Sequence, residues 1–217
     1  MNKILLIDGH SILNRAFYGV PPLTNFEGLH TNAVYGFINI MLKSLEDEHA
    51  DYIAVAFDLK APTFRHEMFA EYKGTRKPMP QELHEQVPVI KEVLAAMTIP
   101  VITLEGYEAD DILGTLAKRC QRDGFEVSIL SGDRDLLQLA DEHIKIRMPK
   151  TVKGQTSIEN YYPSDVIDKY QVTPEEFIDL KALMGDSSDN IPGVPGIGEK
   201  TATAIITCLL YTSPSPR

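Results

Sequence analysis

Cysteine is scarce in this 217-residue chain: only Cys120 and Cys208 are present. Two cysteines so placed give neither a disulfide framework nor a zinc site. Long apolar runs are missing too. A membrane-spanning helix needs about 20 apolar residues, and no run approaches that. The opening run from Lys3 to Ile7 is cut off by Asp8, which makes it too short for a signal peptide. The expected location is therefore the cytosol, with no membrane partner. Positive charge is in deficit: 21 Lys and Arg face 31 Asp and Glu, a net charge of −10. Taken alone, that total argues against a nucleic-acid partner. It loses force if the acids hold divalent cations, because bound ions offset their charge. No internal repeat is present.

Apolar residues make up 43% of the chain, enough for one domain of moderate size with or without a small appendage. Lys3 to Ile7, Tyr52 to Phe57, Pro100 to Leu104 and Glu126 to Leu130 read as buried strands, and Ile144 to Met148 as a further candidate. Amphipathic helices are expected after Thr31, over Pro80 to Met97, from Ile112 onward, and from about Pro163 and Pro174. Gly19 to Gly28 is a loop. Alternating strands and helices predict a parallel α/β sheet with helices on both faces.

The stretch Gly106-Tyr107-Glu108-Ala109-Asp110-Asp111-Ile112-Leu113 organises the rest. Glu108, Asp110 and Asp111 fall in the first turn of a helix, Glu108 and Asp111 on one face. Helix-start chemistry alone could explain them. Other acids weigh against that. Asp8 and Asp58 each close a strand, where sites form in open α/β sheets. Asp133 and Asp135 follow a third strand, and Asp186 and Asp189 sit in a later turn. Converging carboxylates suit Mg²⁺ or Mn²⁺. For His10, helix capping outweighs ligation.

Lys60 to Lys77 differs from its surroundings. Lys60, Arg65, Lys73, Arg76 and Lys77 outnumber Glu67 and Glu71, with Phe64, Phe69 and Tyr72 interleaved. Cations that track phosphates and rings that stack on bases suit a single strand. Near the end, Gly193 and Gly198 stand at P-loop spacing. However, Glu199 precedes Lys200-Thr201 and no strand leads in, so a helix-hairpin-helix fits better.

In this order, the segments Leu5-Leu6-Ile7-Asp8-Gly9, Thr31-Asn32-Ala33-Val34-Tyr35-Gly36-Phe37, Ala56-Phe57-Asp58, Phe64-Arg65-His66-Glu67 and Tyr72-Lys73-Gly74-Thr75-Arg76 form one pattern. It continues through Gly106 to Asp111, Gly132-Asp133-Arg134-Asp135-Leu136, Gly185-Asp186-Ser187-Ser188-Asp189-Asn190 and Gly196-Ile197-Gly198-Glu199-Lys200-Thr201-Ala202. The pattern resembles the 5′-nuclease domains of bacterial DNA polymerase I, in the flap endonuclease and 5′–3′ exonuclease superfamily, from Lys3 to about Thr207.

The resemblance implies a PIN-like parallel sheet flanked by helices over residues 1–160, with a helical arch at about 64–97. A partial helix-hairpin-helix over 161–208 would follow, and 209–217 would be a non-native tail. It implies two Mg²⁺ or Mn²⁺ ions, about 4 Å apart. Asp8, Asp58, Glu108, Asp110 and Asp111 would surround one, and Asp133, Asp135, Asp186 and Asp189 the other. Lys73 and Arg76 would act on the scissile phosphate and Tyr72 would stack on a base. Arg65 and Lys77 would contact phosphates. The hairpin, with Gly196, Gly198, Lys200 and Thr201, would grip duplex DNA, with K⁺ as a further ion. The implied substrate is DNA with a 5′ single-strand/duplex junction, or an RNA–DNA primer, in replication and repair. A polymerase region belongs to the full-length relatives. Loss of the later helices would weaken duplex binding. The rival readings are a PIN-like ribonuclease and a non-catalytic nucleic-acid-binding fragment.

Overall fold

The computed structural model describes residues 2–152 and 155–211, which include the first three residues of the expected tail; the rest of that tail lies outside the described residues. The chain opens with β1 (Lys3–Asp8) and α1 (Gly9–Gly19), then α2 (Asn32–Glu48) and β2 (Tyr52–Ala56). The short α3 (Phe64–Met68), α4 (Gln81–His84) and α5 (Gln86–Ala96) lead to β3 (Val101–Ile102) and α6 (Ala109–Arg122). Next come β4 (Glu126–Leu130), a 3-10 helix over Arg134–Leu139, and the paired strands β5 (Ile144–Val152) and β6 (Gln155–Tyr161). The chain then runs through α7 (Pro163–Tyr170), α8 (Glu176–Met184), the two-residue strands β7 (Gly185–Asp186) and β8 (Ile191–Pro192), and α9 (Glu199–Tyr211).

Six strands form one sheet in the order β3-β2-β1-β4-β5-β6, with every pairing parallel except that of β5 with β6. Side chains on a strand alternate between faces, so the central strands feed two cores. Leu5, Ile7, Val55, Phe57 and Leu130 pack with α1, α2 and α5. Leu6, Ala54, Val127 and Ile129 pack with α6 and the later helices. That second core also takes Val166, Phe177, Leu180, Ala202 and Ile206, so α7, α8 and α9 share the sheet's apolar cluster.

β1 is the switch point. The chain leaves it for β2 on one side, and later returns to pair β4 on the other. Asp8 aligns with Ala56 and Ile7 with Leu130, so the carboxyl ends of three strands open together. That is where ligand sites form in such sheets. Gly9 makes the turn possible, since a Cβ there would lie 2.5 Å from the Phe57 ring.

Three expectations need correction. The helix expected over Pro80 to Met97 divides into α4 and α5, because Pro88 has no N–H for the carbonyl of His84. Ile90 and Leu94 are fully buried, so α5 belongs to the core layer and not to a free arch. The polar stretch after Met148 continues as strand, pairing in a seven-residue register with β6. Its polar residues suit an edge hairpin, which hydrophobic patterning does not reveal.

Candidate functional site

Asp8 ends β1 and caps α1: its carboxylate accepts from Ser11 N at 3.0 Å and from Ser131 Oγ at 2.8 Å. Ser131 also accepts from Asp133 N at 3.0 Å. One fully buried hydroxyl thus ties the β1 acid to the β4 acid. Asp133 in turn caps the 3-10 helix by accepting from Asp135 N. Asp58 accepts from Ala109 N at 2.7 Å, which joins the β2 acid to the start of α6. His10 Nδ1 accepts from the Asp58 N–H at 3.2 Å, so His10 holds the β2 turn from across the floor.

Asp8, Asp58, Asp110 and Asp133 share one cavity of about 930 Å³ with Glu108. Burial pushes Asp8 up to about 6, with Asp58 and Asp133 adding like charge. Burial, then Asp8, Asp133 and Asp58, hold Asp110 well above the usual carboxylate range. Burial also works to raise Asp58, but bonds with His10 and Ala109 outweigh it and leave that acid below its ordinary value. Carboxyls crowded this way repel one another, and a bound cation would relieve that repulsion. Hard oxygens from several elements suit a divalent ion of the Mg²⁺ or Mn²⁺ type. Among the described residues, no group of three or more His, Cys, Asp or Glu side chains is arranged to hold a metal ion as it stands.

The remaining acids have cationic partners. Lys181 on α8 bridges Asp135 at 2.8 Å and Asp186 at 2.5 Å. Asp186 falls to about 2: burial opposes this, but Lys181 and both donors of Ser188 prevail. Glu108 accepts from Lys73 Nζ at 2.8 Å and from Tyr72 Oη at 3.0 Å. Asp189 accepts from Tyr72 Oη and pairs with Arg76. Backbone bonds dock the same segment: Lys73 N–H donates to the Asp189 carbonyl at 2.8 Å, and Asn190 Nδ2 to the Glu71 carbonyl at 2.8 Å. Lys73 carries a left-handed backbone (φ 56°), held by these contacts.

Asp135, Asp186 and Asp189 lie outside the lining of that cavity, and so do Asp111, Arg65 and Tyr72. Asp111 turns into a two-pronged fork with Arg65, both bonds 2.8 Å, and also accepts from Glu108 N. Asp111 is therefore absent from the shared cavity, and the Arg65 guanidinium is taken up by that fork and by the face of Phe64. Tyr72 is only 6% exposed, so its ring is not presented for stacking. Its hydroxyl was the informative group, because a buried phenol needs a partner.

Lys73, Arg76 and Lys77 line the same cavity as the acids. Lys60 and Lys91 line it too, the latter over the Phe57 ring at 4.9 Å. Ser131, Lys181 and Lys91 were missed. Ser131 follows a buried strand directly, a signal that could have been read. Lys181 and Lys91 lie on ordinary helix faces and carry none. Gly196, Gly198, Lys200 and Thr201 stand exposed at the turn into α9, away from the acid cavity. That turn closes tightly on α8: a Cβ on Gly185 would lie 2.3 Å from Gly193 N.

Residues 3–171 match the family described as 5′-3′ exonuclease, N-terminal resolvase-like domain, and residues 172–210 match 5′-3′ exonuclease, C-terminal SAM fold. DNA polymerase I of Bacillus caldotenax and that of Bacillus subtilis strain 168 are each 55% identical over 204 residues. Those alignments cover 94% of this chain and 23% of each relative, so the chain spans about a quarter of the curated relatives it matches. A T5 5′-exonuclease solved with bound zinc is 26% identical with a TM-score of 0.75, covering 95% of this chain and 75% of that one. A bacteriophage T5 flap endonuclease, solved in a pseudo-enzyme-product complex with DNA and metal ions, is 25% identical with a TM-score of 0.76. That match covers 100% of this chain and 80% of the other. Among the described residues no helix is long and apolar enough to cross a membrane.

Proposed function

We propose, for a chain that belongs to the 5′-3′ exonuclease family, that it hydrolyses DNA phosphodiesters at 5′ single-strand/duplex junctions with the help of divalent cations. One observation carries this reading: four acids from the ends of three strands and the start of α6 line one cavity together with Lys60, Lys73, Arg76, Lys77 and Lys91. Asp8, Asp58, Asp110 and Asp133 would hold one ion, and Asp135, Asp186 and Asp189 another. Ions held by these residues would supply activation of a water and stabilisation of a leaving 3′ oxygen.

The chain's own residues do the rest. Ser131 and Ser11 N fix the Asp8 carboxylate, and Ala109 N fixes Asp58. Lys73 and Arg76 exchange their pairing with Glu108 and Asp189 for the scissile phosphate, where negative charge grows. Lys60, Lys77 and Lys91 give the strand's phosphates further contacts without reading bases. The turn Gly193–Gly198 with Lys200 and Thr201 is our candidate for gripping duplex backbone, with K⁺ as its counter-ion.

The test is cleavage of a 5′-flap DNA with Mg²⁺ or Mn²⁺ against EDTA, beside a single-stranded RNA. Ion-dependent flap cutting with a 5′-phosphate product supports the proposal. RNA cleavage alone favours a ribonuclease, and binding without cleavage favours a non-catalytic module.

A further inference from the structure

Resting on the metal-dependent reading above, we infer that Lys181 sets the affinity of the Asp135–Asp186 side of the site for a divalent cation. It does so by occupying the oxygens that the cation would take.

The geometry is specific. Asp186 Oδ1 already accepts from Ser188 N at 2.7 Å, Ser188 Oγ at 2.6 Å and Asp189 N at 3.3 Å. Its other oxygen, Oδ2, faces Lys181 Nζ at 2.5 Å. The same ammonium reaches Asp135 Oδ1 at 2.8 Å. One cation thus spans an acid from the 3-10 helix and an acid from β7. Leu180, 1% exposed beside it, anchors α8 and keeps the lysine aimed there. Among the described residues, Asp8, Asp110 and Asp133 have no ion pair.

The two sides of the site therefore face a divalent ion on different terms. On the Asp8–Asp110 side it meets no paired side-chain cation among the described residues. On the Asp135–Asp186 side it must displace or share with a fixed ammonium and work against its charge. Two ions are then expected to bind unequally, the weaker beside Lys181. Removing the ammonium relieves a repulsion that, at about 5 Å and even in a water-like dielectric, is worth about tenfold or more in affinity.

Calorimetric titration with manganese(II) alone, on the unmutated chain, Lys181→Met and Lys181→Arg, tests this. Lys181→Met should tighten the weaker binding event about tenfold, while Lys181→Arg leaves it unchanged. In the unmutated chain, manganese should raise the acylation rate of Lys181 by an amine-reactive ester, read by mass spectrometry. This second measurement holds even if the methionine variant fails to fold. Unchanged affinity in Lys181→Met, or unchanged Lys181 labelling, overturns the inference while leaving the metal-dependent reading intact. No saturable manganese binding by the unmutated chain overturns both.

Discussion

The acids of this molecule fall into two groups that look alike in sequence and differ in their partners. Asp8 and Asp133, at or just after strand ends, are held by hydroxyl and backbone donors, and neither they nor Asp110 in α6 pair with a side-chain cation among the described residues. Glu108, Asp111, Asp135, Asp186 and Asp189 each pair with Lys73, Arg65, Lys181 or Arg76. The first group is electrostatically unsatisfied and the second is compensated. An unsatisfied group of buried carboxyls is a place where an added ion gains most. A compensated acid gives an ion less, or gives the fold stability instead.

The largest expected effect tests the first group. Asp110→Asn should abolish ion-dependent cleavage while raising the melting temperature in EDTA at neutral pH, because it removes a carboxyl crowded by Asp8, Asp133 and Asp58. A ligand of purely structural value would lose both. Next comes Lys73→Ala, expected to lower single-turnover cleavage about 10²- to 10³-fold by removing a cation aimed at the phosphate. Equal cleavage by this variant would remove Lys73 from the mechanism.

The pH dependence of stability sharpens the contrast further. Asp8 has a folded value of about 6 against 3.8 when unfolded. The native state therefore binds more protons between those values, and stability falls as pH rises through that window. The shift corresponds to about 3 kcal/mol from Asp8. Asp186, lowered to about 2, acts oppositely: its contribution is present above 3.8 and is lost as pH falls toward 2. Denaturant melts in EDTA from pH 4 to 7 should show the loss, and Asp8→Asn should flatten it.

Asp111→Asn separates the groups by function. Losing a charged fork should cost about 1.5–3 kcal/mol of stability at most, less where solvent screens it, with cleavage changed far less than in Asp110→Asn. The smallest effect is expected from Tyr72→Phe. Its ring is already buried, so only the hydroxyl bonds to Glu108 and Asp189 are lost, about 1 kcal/mol in a thermal melt. A large fall in DNA affinity would restore a stacking role.

Much of the sheet was legible because buried parallel strands leave continuous apolar runs, and because an acid at a strand end marks the boundary. The convergence of Asp8, Asp58 and Asp133 followed from that periodicity plus the crossover rule. The hairpin of β5 with β6 did not, since edge strands are polar. Asp110 and Asp111 are neighbours of the same type, and a helix sends them in different directions. Their fates depend on Arg65, 46 residues from Asp111, and nothing local encodes that partnership. Lys181 is the sharper case: a lysine on a helix gives no sign that it will stand between two acids.

The central claim is that the strand-end acids, with Asp110, form the principal ion site. Its most direct test is anomalous diffraction from crystals soaked in manganese. A peak within the cavity bounded by Asp8, Asp58, Asp110 and Asp133, with Asp111 still forked to Arg65, is the result this account requires. Manganese bound outside that cavity, or bound through Asp111, would contradict it.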